Sequence, residues 1–159
     1  ALRIALITYL KQAGTETQKH SLIVNDITAL ESINQESIYK EEERIPSLWA
    51  IISAIPFLNL AVLYLLGEFP FDHDKRWHAF TQHTQAAFQK LGMNVMTPSW
   101  STIHERNNVL LLVAASVMIP FFGLGLLVIL IWYQIIIKDF NEHIKVQWQF
   151  EDQIIAQLR

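Results

Sequence analysis

Apolar and polar positions alternate along this chain in long blocks. Two blocks, 45–67 and 107–137, contain no Asp, Glu, Lys, Arg or His. As helices they would reach about 34 Å and more than about 40 Å, enough to cross a bilayer core of ~30 Å. The alternative is a pair of core helices in a water-soluble domain. A short chain has few other elements to cover two rods that are apolar all round, so membrane insertion is the better expectation. Pro56 and Pro120 lie inside the two blocks, each removing a backbone donor and predicting a local kink.

The remaining blocks have helical periodicity. In segment 1–44, Leu2, Ala5, Leu6, Tyr9 and Leu10 share one face, and Gly14 is a natural stop. Ile23, Ile27 and Leu30 mark a second amphipathic helix over 21–39. Glu41, Glu42 and Glu43 read as a solvated turn. In segment 68–106, Pro70 predicts a break and Asp72 a cap, followed by an amphipathic helix over 72–91. Its apolar face carries Trp77, Phe80, Thr84, Ala87, Phe88 and Leu91, its polar face Asp74, His78, Gln82, Gln85 and Gln89, and Gly92 ends it. Thr102 and Glu105 have capping-box spacing before the second apolar block. That block is expected to continue as an amphipathic helix over 138–159, with Phe140, Ile144, Trp148, Ile155 and Leu158 in one stripe. The fold expected is an all-α membrane protein: a two-span helical hairpin, 45–67 and 107–137, with amphipathic helices in the N-terminal segment, the loop and the tail.

Small residues supply a packing face for the hairpin: Ala50, Ala54 and Ala61 on the first span, Ser116, Pro120 and Gly123 on the second. Trp49, Trp132 and Tyr133 are candidates for the membrane–water interface, where amphipathic rings settle. Lys40, Arg44, Lys138 and Lys145 on one side balance Lys75, Arg76, Lys90 and Arg106 on the other, so charge selects no orientation. A faint internal repeat places Pro56-Phe57-Leu58-Asn59-Leu60 on Pro120-Phe121-Phe122-Gly123-Leu124. It also places His73-x-Lys75 with Phe80 on His143-x-Lys145 with Phe150.

Composition narrows the chemistry. Hydrophobic residues make up 52% and charged residues 17%, below the ~25% usual in soluble domains. A net charge of −3 gives no basis for a nucleic-acid partner. The absence of cysteine excludes disulfides, thiolate metal sites and a Cys nucleophile. There is no Gly-x-Ser-x-Gly and no phosphate-binding glycine loop, and no ionisable group lies inside either span. The six histidines all lie outside the spans. Asp74 and His78, four residues apart, have the spacing of two metal ligands and need a third, for which His143 is the candidate in the tail.

The run Gly123-x-Gly125, Trp132-Tyr133 and Lys138-Asp139-x-Asn141-Glu142-His143 resembles a family of small prokaryotic, often archaeal, membrane proteins of unknown function. In that family a Gly- and aromatic-rich span enters a Lys/Asn/Glu-rich helix. This chain departs from it in the aliphatic residues between Gly125 and Trp132. The resemblance implies placement in a prokaryotic cell (plasma) membrane and supplies no activity.

By elimination, the expected role is a non-catalytic accessory subunit of a larger integral-membrane complex. Its partners would be other membrane subunits and the lipid bilayer, with no cofactor beyond bound lipid. Two alternatives stand beside it. One is a metal or substrate site at the membrane surface built on Asp74 and His78 with partner residues. The other is a homo-oligomeric pore or small-molecule carrier.

Overall fold

A computed structural model describes residues 2–42, 51–52, 56–99, 103, 108–118 and 124–158. Among these the chain is all-helical, with no strand. We number the α-helices α1 (Leu2–Glu16), α2 (His20–Ser37), α3 (Pro56–Leu91), α4 (Asn108–Met118) and α5 (Leu124–Leu158). A π-helical turn, Ile38–Glu42, follows α2. By length and composition one described helix, α5, is able to cross a membrane.

The chain divides into two compact units, the first made of Ala1–Arg44, Lys75–Trp100 and Ile144–Arg159. Its core is built from all three segments. Leu6 and Leu10 of α1, Ile23 and Leu30 of α2, Trp77, Phe80 and Phe88 of α3, and Phe150 and Ile154 of α5 are completely or almost completely buried together. Each such side chain contributes about 1.5–3 kcal/mol by leaving water. The apolar face expected on α3 is thus the buried one. On α5 the stripe differs from expectation: Phe150 and Ile154 are buried, while Trp148 is 63% exposed. Both faces of that helix are apolar enough to be buried. The Trp77 ring, which meets Phe150 edge-on at 5.9 Å, selects the face.

Helix ends follow local chemistry. After α3, Gly92 takes φ +89°, Gly92 N–H donates to Gln89 O and Met93 N–H to Phe88 O, a Schellman closure. The Lys19 ammonium donates to Leu91 O, satisfying another terminal carbonyl. The same closure ends α1, with Lys19 N–H on Gly14 O, but there Gln18 holds the left-handed position at φ 57°. Because Gln18 is exposed, Gln18→Gly is expected to raise stability by about 1 kcal/mol, read as a higher unfolding midpoint. Gly14, expected as the stop, lies within α1. A Cβ there would stand 2.7 Å from Ile23 Cδ1, so the glycine serves the close approach of α1 and α2.

Polar contacts reinforce this unit. Asp26 is 5% exposed and accepts from His83 Nδ1 at 3.0 Å and Lys90 Nζ at 2.6 Å. Glu36 pairs with Lys40 at 2.8 Å and stands 4.0 Å from the buried Arg76 guanidinium. Burial pushes the Asp26 carboxyl up, but hydrogen bonds and charge from His83 and Lys90 outweigh it and hold the carboxyl below its ordinary range. The folded value therefore lies below the unfolded one. The stabilisation is present above the unfolded value, roughly pH 4, and is lost as pH falls through the folded value. Asp26→Asn is expected to lower the unfolding midpoint at pH 5–7 and to make it fall less between pH 4 and 2 than in the natural chain.

The second unit spans Ile45–Asp74 and Ser101–His143. Here α3 runs unbroken through Pro70, where the sequence predicts a break before the 72–91 helix. Pro70 removes one donor, but it is buried in the unit, and side-chain packing holds the helix across it. Within the second apolar block the described residues form α4, up to Met118, and α5, from Leu124; residues 119–123 lie outside the described residues. As expected, α5 then continues without interruption into the amphipathic tail. Val62, Trp132 and Ile136 are buried in this unit. Many large apolar side chains are not: Val109, Leu110, Val113 and Val117 of α4 and Leu126, Leu127, Leu130 and Ile131 of α5 are all more than half exposed.

Candidate functional site

The second unit concentrates its buried ionisable groups in one place. Asp74 on α3 is 3% exposed, His143 on α5 is 5% exposed, and His143 Nδ1 lies 2.7 Å from Asp74 Oδ1. The other carboxylate oxygen, Oδ2, accepts from the backbone N–H of Ile103 at 2.9 Å. One aspartate thus ties two helices to the segment that precedes α4. A carboxylate removed from water needs such partners, because desolvation would otherwise favour its neutral form.

Aromatic rings enclose the pair. The His73 ring meets His143 edge-on at 5.4 Å and Phe140 edge-on at 5.7 Å. Phe69 stacks on His73 at 6.0 Å and touches Phe140 at the same centroid distance. Phe140 lies nearly parallel to His143 at 6.4 Å. Residues one turn apart on a helix share a face, so Phe69, His73 and the Pro70–Asp74 turn face Phe140 and His143. The contacts rise together on both helices, Phe69 with Phe140 and His73 with His143, so α3 and α5 run parallel in this unit.

Chemically, the arrangement is a dry Asp–His pair. It brings a carboxylate and an imidazole from two helices into close contact away from water. Among the described residues no three His, Asp or Glu side chains converge to hold a metal ion. Of the three candidate ligands, the structure brings Asp74 and His143 together. His78 is exposed, and its Nε2 accepts from Gln82 Nε2 at 2.8 Å.

The other candidate residues are placed as follows. Ala61 and Ser116 are exposed, and the Ser116 hydroxyl donates to Leu112 O of its own helix at 2.7 Å. Ala50, Ala54, Pro120, Gly123 and Trp49 lie outside the described residues. Trp132 is 5% exposed, packed inside the unit with its ring 5.7 Å from half-buried Tyr133. The sequence reading missed His73, Phe69, Phe140 and the Ile103 amide as neighbours of the pair. The available signal was the repeated His-x-Lys, which places His73 and His143 at matching positions on two helices.

Comparison with protein families, with curated proteins and with solved structures finds no match for this chain.

Proposed function

We propose that this chain is a non-catalytic, membrane-embedded accessory subunit whose partners are other integral-membrane polypeptides and lipid, in the cell membrane of a prokaryote. The observation that carries the reading is a contrast in surface. One unit gathers apolar residues from three segments into a shared core, while α4 and α5 of the other leave Val109, Leu110, Val113, Val117, Leu126, Leu127, Leu130 and Ile131 outward. Soluble monomers rarely expose contiguous apolar surface on that scale, and a lipid or protein environment removes its cost. The buried polar groups also favour a structural role. Asp74 and Asp26 are engaged by groups of the chain itself, which suits holding a shape more than turning over a substrate.

The test is extraction and stoichiometry. The full chain, tagged and expressed in its native membrane, is expected to resist alkaline carbonate and to require detergent for release. In mild detergent it is expected to elute with other integral-membrane polypeptides at a fixed molar ratio that survives a high-salt wash. Release by carbonate, or elution as a lone monomer, overturns the reading.

A further inference from the structure

Resting on the membrane reading above, we propose that each apolar block enters and leaves the bilayer on the same side, so that the chain is seated in one leaflet rather than threaded through both. The partner of the exposed α4 and α5 faces is then the acyl layer of a single leaflet.

The first argument is what the first unit contains. Segments 1–44 and 75–100 precede and follow the first apolar block, and they share one core. Tyr9 Oη donates to Met93 Sδ at 3.5 Å, Lys19 Nζ to Leu91 O at 3.3 Å, and Asp26 binds both His83 and Lys90. A single crossing by the block between them would place these partners on opposite faces of a bilayer. The tail joins the same core through Phe150 and Ile154, so the second block obeys the same constraint.

The second argument is direction. Two successive spans run antiparallel, and the chain just after each would emerge on opposite faces, about 30 Å apart. The residues just after the two blocks are instead in contact and in parallel order, Phe69 on Phe140 and His73 on His143.

The third is sequence. Pro56 and Pro120 lie near the middle of their blocks, and a proline, which lacks a backbone N–H, suits the turn that a returning chain needs.

The chain has no cysteine, so single reporters are unambiguous. Ser21→Cys, Gln89→Cys and Gln149→Cys each replace an exposed residue, one in each aqueous segment. Sealed native-membrane vesicles carrying the full chain are treated with a membrane-impermeant maleimide before and after permeabilisation. The labelled fraction is expected to be equal at the three positions. Opposite accessibility of position 89 relative to 21 and 149 is the two-span result and overturns the proposal. Carbonate extraction of the same vesicles separates the two failures: a chain released into the supernatant overturns the membrane reading itself, whereas a retained chain with unequal labelling overturns only its one-sided seating.

Discussion

Asp74→Ala is expected to destabilise the protein by about 3–5 kcal/mol, the range for removing one partner of a buried Asp–His pair. The side chain is 3% exposed, stands 2.7 Å from His143 Nδ1 and accepts the Ile103 amide. Its removal therefore leaves a buried imidazole and a backbone donor together, and cuts the tie between two helices and the segment before α4. Chemical unfolding of the detergent-solubilised chain, followed by helical circular dichroism, measures the loss. Asp74→Asn keeps the shape and an acceptor for Ile103, so it is expected to lose less. The pair Asp74→Leu with His143→Leu replaces both polar groups by apolar ones and is expected to recover much of the stability. A near-natural midpoint for Asp74→Ala would show that the pair is not a clamp. A metal role for Asp74 has a separate readout, bound zinc or copper lost from the variant at unchanged stability.

Phe88→Ala is expected to cost about 3–5 kcal/mol, the range for deleting a fully buried aromatic ring. Phe88 is 0% exposed, lies 6.2 Å from the Tyr9 ring and belongs to the core shared by α1, α2, α3 and α5. It is also the residue whose carbonyl accepts Met93 N–H in the turn after α3. The cavity would weaken the hold of α1 and α2, so limited proteolysis is expected to cut within 1–44 faster in the variant. Phe88→Leu, which keeps most of the volume, is expected to lose under half as much. Equal proteolysis of the natural chain and Phe88→Ala would mean that α1 and α2 are held elsewhere.

Helices were legible wherever one face repeats every three or four residues. Trp77, Phe80, Phe88 and Leu91 announce the buried side of α3, and Gly92 announces its end, because both are properties of a short stretch of chain. The α5 tail was legible as a helix, but its face was not. Trp148 and Phe150 are equally apolar, and only the position of Trp77 decides that Phe150 is the buried one. At Pro70 the local rule fails for the same reason: the proline withdraws one hydrogen bond, and packing of a long helix outweighs it.

The candidate site divides in the same way. Sequence singled out Asp74 and His143 by residue type, since a carboxylate and an imidazole are chemically versatile anywhere, and it added His78 by spacing on one helix. The structure pairs Asp74 with His143 and turns His78 toward Gln82 on the exposed side. Spacing reports which residues share a helix, not which helix lies opposite.

By itself, then, the sequence determined the helical class, the two charge-free blocks with their affinity for an apolar environment, and the stop at Gly92. These depend on side-chain transfer energies and on backbone preferences, which act within a turn or two of helix. Only the tertiary structure decided that segments 1–44, 75–100 and 144–159 share one core, that α3 and α5 run parallel past Phe69 and His73, and that Asp74 meets His143. Those outcomes come from contacts between residues far apart in the chain, where many pairings satisfy the same local pattern and the best-packed one prevails.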